Sequence, residues 1–129
     1  MKQPNHNVVG WFEIPVRNMG RASKFYEAVF DIKLQPLHLG PLDMALFPGV
    51  EKSMGSSGSL IQHEFYTPSA DGVLIYFTAF SGDVATELSR VEAAGGTVLV
   101  PKKLISKELG HMGVFVDTEG NRIAVHSRT

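Results

Sequence analysis

Two side chains at opposite ends of this 129-residue chain have the best claim to chemistry, Glu13 and His126. Glu13 lies in an alternating run. Val8, Gly10, Phe12, Ile14 and Val16 fall on one side, and Val9, Trp11, Glu13 and Pro15 on the other. A carboxylate on a partly desolvated sheet face can act as a general base. The plainer alternative is an ion pair with a cation such as Arg122. His126 shares its parity with Arg122 and Ala124, while Ile123 and Val125 face the other way. Glu13 and His126 are therefore expected to meet across paired strands as a carboxylate–imidazole couple able to move a proton; otherwise His126 is a rim histidine without chemistry.

Trp11 and Tyr76 carry the same parity as each other and offer two aromatic walls for a small, flat or partly apolar ligand. The competing reading is that they plug the space between them. Met44, Met54 and Met112 fit either an adaptable pocket rim and lid or ordinary core filling. Lys102, Lys103 and Lys107 form a basic loop that would attract an anion or simply stay solvated. His63-Glu64 lacks the second histidine of a helical metalloprotease motif and lies in a strand pattern, so it is set aside. His38, His63 and His111 are scattered single histidines. Asp117 and Gly120 bracket the last turn and are assigned a turn role only.

These residues must be positioned by a short list of elements. Asn18 stands where a helix N-cap belongs, with Ala22, Phe25, Tyr26 and Val29 at helical spacing behind it and an end near Phe30-Asp31. Ile32–His38, Leu42–Phe47 and Ser59–Phe65 read as strands, with Val50–Gly58 a mobile Gly/Ser-rich loop. The loop is no phosphate cradle, because no Gly-Lys-Ser/Thr follows it. After a linker at Thr67–Gly72 the order repeats. Val73–Phe80 is a strand, Asp83–Ala94 an amphipathic helix closed by Gly95-Gly96, and Thr97–Val100 a strand before the lysine loop. Gly110–Asp117 and Asn121–Ser127 form a final hairpin. A shift of 65 residues lays Trp11 on Tyr76, Phe12 on Phe77, Leu34 on Leu99 and Pro36 on Pro101. The chain is therefore expected to be one domain, residues 1–129, of two βαβββ modules at 7–66 and 71–129 joined by 67–70.

Composition narrows the function classes. A net charge of −1, from 12 basic and 13 acidic residues, gives no reason to expect nucleic acid or an anionic membrane as partner. The absence of cysteine excludes disulfides, thiolate metal sites and a cysteine nucleophile. No apolar run approaches the roughly 18 residues of a membrane span, and MKQPNHNVVG lacks a signal-peptide core. Cytoplasm is the expected location.

The stretches FEIPV-RNMGRASKFYEAVF, VEAAGGTVL and DTEGNRIAVHS together resemble the vicinal oxygen chelate superfamily of glyoxalase I, bleomycin-resistance proteins and extradiol dioxygenases. The resemblance covers essentially the whole chain and is nearest to small bacterial glyoxalase-related proteins. It implies an α+β fold, two βαβββ modules forming a cupped mixed β-sheet with helices on its convex side, and usually a homodimer. Enzymes of this kind hold a divalent metal in the cup, with open positions that polarise vicinal oxygens of a substrate. Carried over, the four ligand positions fall on Trp11, Gln62, Tyr76 and Ala124, which make no divalent site. No metal is expected there, with Glu13 and His126 as the fallback for a displaced one, and no other cofactor is expected.

Three function classes follow. The first is a metal-free small-molecule binding protein of the bleomycin-resistance type, whose ligand would touch Trp11, Gln62, Tyr76, Arg122, Ala124, Met44 and Met112. The second is a metal-independent lyase or isomerase using Glu13, with or without His126. The third is a non-catalytic interaction module with a filled cup. Glyoxalase I activity itself is the least favoured, since its metal ligands are missing.

Overall fold

A computed structural model describes residues 5, 7–53 and 55–129. Met54 and part of the N-terminal segment lie outside the described residues. The elements run β1 (Glu13–Pro15), α1 (Met19–Phe30), β2 (Gln35–Leu39), β3 (Leu42–Leu46), β4 (Ser59–Gln62), β5 (Ile75–Thr78), α2 (Val84–Val91), β6 (Thr97–Ser106), β7 (Gly110–Val116) and β8 (Arg122–Ser127). Each half is thus a βαβββ module. Its first strand runs parallel to its last, and the other neighbours are antiparallel. The strand orders β1-β4-β3-β2 and β5-β8-β7-β6 are the same permutation, so the repeat read from the sequence is a repeat of topology. The expected mixed β-structure of two βαβββ modules is present, each module contributing one four-stranded mixed sheet. No helix among the described residues is long and apolar enough to cross a membrane.

Local chemistry explains the helix ends. Asn18 Oδ1 accepts the Arg21 N–H at 3.0 Å, and Asp31 closes α1 in the left-handed conformation. Asp83 caps α2 in the same way, accepting the Ala85 N–H at 2.9 Å. At the far end of α2, Gly95 has a φ of +107° and the Gly96 N–H reaches the Val91 carbonyl. Gly96 has no room for a side chain: a Cβ would come within 2.5 Å of the Val116 oxygen and 2.7 Å of the Phe25 ring. The Gly-Gly pair therefore ends one helix and admits the other.

Two strands differ from their sequence patterns. The alternation from Val8 to Val16 yields only a three-residue β1, because its one partner, β4, begins opposite Glu13 at Ser59. Before Glu13 the Phe12 carbonyl still accepts the Ser59 N–H at 3.1 Å, and further back Val8 and Val9 are exposed. In the other direction, β6 continues through Pro101 to Ser106 where a loop was expected. As the outermost strand of its sheet it tolerates proline's missing N–H, and its register slips around Leu99 and Pro101. The lysines Lys102 and Lys103 therefore sit on a strand. Lys102 is spent on Asp83, Nζ to Oδ1 at 2.9 Å, which holds that carboxyl below its usual range.

Both helices lie on one side of the sheets over a shared core. Ile14, Val16, Ala45, Phe47 and Leu60 meet α1 from the first sheet, and Phe77, Phe115, Ile123 and Val125 meet the helices from the second. Phe77 of β5 is the point of exchange. Its ring lies 4.8 Å from Phe30, 5.2 Å from Phe47 and 5.8 Å from both Phe12 and Tyr26, all residues of the first module.

The turn between β7 and β8 grips the first module in return. Asp117 was expected to serve the turn alone, but it does more. Its carboxylate accepts the Glu119 and Asn121 N–H groups at 2.8 and 2.9 Å and the buried Tyr26 hydroxyl of α1 at 2.6 Å. Asn121 donates to the Pro15 carbonyl of β1 at 2.8 Å. Glu119, whose side chain is fully buried, accepts the N–H groups of Arg17 and Asn18 and the Arg21 guanidinium at 2.7 to 3.1 Å. The first turn of α1 has no acidic residue of its own, so the second module supplies the negative charge its dipole favours.

Burial opposes the ionisation of Glu119. Arg21, the two backbone N–H groups and the Thr118 hydroxyl outweigh it and bring the carboxyl down to about 2 from 4.5. A carboxyl depressed in the folded state contributes stability above its unfolded pKa and loses it as pH falls towards the folded value. Stability should therefore fall between about pH 5 and pH 2 in urea titrations, with Asp83 adding a smaller share in the same window. Glu119→Gln should cost about 2 kcal/mol at neutral pH, allowing for the half-exposed Arg21, and should flatten that acid limb. An unchanged acid limb in the variant would show that Glu119 is not the titrating clasp.

Candidate functional site

The faces turned away from the helices follow from strand register. On β1 and β4, Ile14 and Leu60 enter the core, so Glu13, Pro15, Ser59 and Ile61 face the other way. On β5 and β8, Ile75, Phe77, Ile123 and Val125 face the helices, leaving Tyr76, Thr78, Arg122, Ala124 and His126 opposite. Trp11 and Tyr76 are 45% and 51% exposed, the pair expected from the repeat.

Trp11 and Tyr76 line one cleft. It opens between the residues leading into β1 and the start of β5, with a volume of about 690 Å³. Phe12, Phe47 and Phe77 form its floor, which is the solvent-facing edge of the cluster joining the modules. Phe80 forms a third exposed aromatic at the rim, and the Gly/Ser loop after β3 supplies Ser53, Ser56 and Ser57. Gly58 ends that loop with φ +67°. A Cβ there would lie 2.3 Å from the Phe12 ring, so only glycine lets the loop close onto the aromatic floor.

The other expected site residues are distributed differently. Gln62 turns to the helix side, where its Oε1 accepts the Met19 N–H at 2.9 Å and satisfies the start of α1. A one-residue slip in a strand exchanges faces, and the position facing away from the helices is Ile61, which is fully buried and apolar. Met44 lies opposite Ile61 and Met112 opposite His126, each on its own sheet and outside the cleft lining. Ala124 is fully buried between Tyr76 and Val114. Arg122 directs one guanidinium nitrogen to the Gly72 carbonyl, so it is not the partner of Glu13.

Glu13 and His126 are not on paired strands. β1 pairs only with β4, β8 pairs with β5 and β7, and no Cα of β1 comes within 8 Å of one in β8. His126 Nε2 is held by the Leu109 carbonyl at the far end of the β7–β8 pair. Neither residue lines the cleft.

Sequence reasoning missed Phe47, Phe80, Thr78 and the serines of the loop as cleft residues. Thr78 was within reach, since it lies two residues after Tyr76 on the same strand face. Phe47 and Phe80 were not, because each follows the end of its strand and its direction is set by the turn.

The residues at the superfamily's ligand positions do not fit a divalent metal. Indole and methyl groups offer no metal-binding lone pair at Trp11 and Ala124, the Gln62 oxygen is committed to the Met19 N–H on the helix side, and a lone phenol remains at Tyr76. Among the described residues no three His, Asp or Glu side chains gather as a metal cluster. His38 instead pairs with Asp43 at 2.9 Å, and His63 Nδ1 accepts the Phe65 N–H at 3.2 Å.

No family model matches the sequence, and no curated protein does. Solved structures do match the fold. A glyoxalase/bleomycin resistance protein from Albidiferax ferrireducens T118 superposes with a TM-score of 0.70 at 16% identity, covering 95% of this chain and all of that one. Glyoxalase I from Zea mays gives 0.67 at 18% identity over 92% of this chain, which spans only 45% of the maize chain. A glyoxalase/bleomycin resistance protein/dioxygenase family enzyme from Burkholderia phytofirmans PsJN gives 0.66 at 18% identity, over 93% and 98% of the two chains. With its twin βαβββ modules in this arrangement, the chain has the glyoxalase/bleomycin-resistance fold.

Proposed function

We propose that the protein binds a small organic molecule in the cleft between its modules, without a metal at the superfamily position. The observation that carries this reading is the convergence of Trp11, Tyr76 and Phe80, all large and all exposed, on one concave space with an aromatic floor. A volume of about 690 Å³ lies in the range of small-molecule sites. Large exposed aromatic surface is costly to leave in water, and a ligand seated there removes part of that cost. The separation of Glu13 from His126, and of both from the cleft, favours binding over proton transfer by that pair.

The neutral dye Nile red is a suitable probe. Its emission should rise on binding at one site per chain, and Trp11→Ala or Tyr76→Ala should weaken the apparent Kd by about tenfold, the loss of one aromatic wall. Equal affinity in both variants would place the dye elsewhere and remove support from the cleft.

Titration with zinc, nickel or manganese, followed by desalting and metal analysis, should leave no stoichiometric metal on the chain. A tightly retained ion whose affinity fell in Tyr76→Phe would overturn the metal-free reading.

A further inference from the structure

The lining of the cleft has a property that the aromatic walls alone do not imply. None of its described lining residues is Asp, Glu, Lys, Arg or His. The nearest charges along the loop, Glu51 and Lys52, are exposed, of opposite sign and outside the lining. Glu13 shares a face with Trp11 but is not among the residues lining the cleft, and Lys102 is committed to Asp83. A ligand carrying a formal charge would leave part of its hydration on entering and meet no counter-charge. The polar side chains of the described lining are neutral: Trp11, whose N–H can only donate, and Tyr76, Thr78, Ser53, Ser56 and Ser57, whose hydroxyls can donate or accept.

Resting on the cleft as the binding site, we infer that its ligand class is uncharged, planar and aromatic, with one or more carbonyl or ether oxygens as hydrogen-bond acceptors. The flat shape follows from the walls. Trp11, just before β1, and Tyr76, in β5, both line the cleft with large ring surfaces, while Phe12, Phe47 and Phe77 cover the base. The acceptor follows from the donors at the rim, and neutrality from the empty charge inventory. An anion finds no counter-charge on the described lining, and a cation finds only the ring faces.

Four probes of one ring system separate these elements: acetylnaphthalene, naphthalene, naphthoate and naphthylmethylammonium. Binding is read by equilibrium dialysis and by quenching of Trp11, the single tryptophan of the chain. Acetylnaphthalene should bind tightest, with both charged analogues weaker by at least about tenfold. Naphthalene, lacking an acceptor, should also be weaker, and Tyr76→Phe combined with Thr78→Val should narrow its gap to acetylnaphthalene. Naphthoate or the ammonium probe binding as tightly as acetylnaphthalene overturns the neutral class. If Nile red still binds in a Trp11- and Tyr76-dependent way, the cleft stands while this inference falls. Failure of Nile red and all four probes removes the binding reading with it.

Discussion

The buried carboxylates of the β7–β8 turn are the constraint on which the arrangement of the two modules depends. Glu119 and Asp117 are charged groups taken out of water, a placement that costs several kcal/mol unless nearly every lone pair is answered. The answers come from the other module: backbone N–H groups before α1, the Arg21 guanidinium, and the Tyr26 hydroxyl. Moving one module against the other would strand both carboxylates at once. Burial, aided by the negative charge of Asp117, pushes the Tyr26 hydroxyl well above its ordinary pKa, so it stays a donor across the working range of pH. The turn thereby fixes both the angle of α1 and the distance between the two first strands.

That fixed distance creates the cleft. In each sheet the first strand is an edge strand, paired on one side only, and the two edges do not pair with each other. Apolar side chains fill the gap on the helix side, where Phe77 enters the aromatic cluster of the first module. On the other side the described residues leave the cleft open. The same rings that seal the core from one direction are therefore the floor of the cleft from the other. Such a floor resists collapse, because Phe47 and Phe77 are held from behind by Tyr26 and Phe30.

Much of this was legible in the sequence because it depends on local chemistry. The Asn18 cap, the Gly95-Gly96 stop and the alternation of the final hairpin each declare themselves within a few residues. The repeat matched Trp11 with Tyr76 by sequence alone, and both line the cleft. What escaped depends on register and on distant partners. Gln62 was expected to face the cup, but it shares the helix side with Leu60, because strand parity cannot be carried across a loop of unknown register. The Glu13–His126 couple assumed that the two modules share a sheet, which strand parity cannot test. Glu119 was overlooked for a related reason: its partners lie about a hundred residues away, and in sequence it is only one acidic residue in a turn.

The chemistry presented at the cleft is also a matter of faces. Glu13 and Ser59 turn away from the helices on the first sheet, and Tyr76 and Ala124 on the second, yet of these only Tyr76 lines the cleft. The rest of the described lining is aromatic, aliphatic, proline, glycine or hydroxyl-bearing. Such a surface offers shape and neutral hydrogen-bonding groups rather than charge, and a rigidly clasped pair of modules holds that shape.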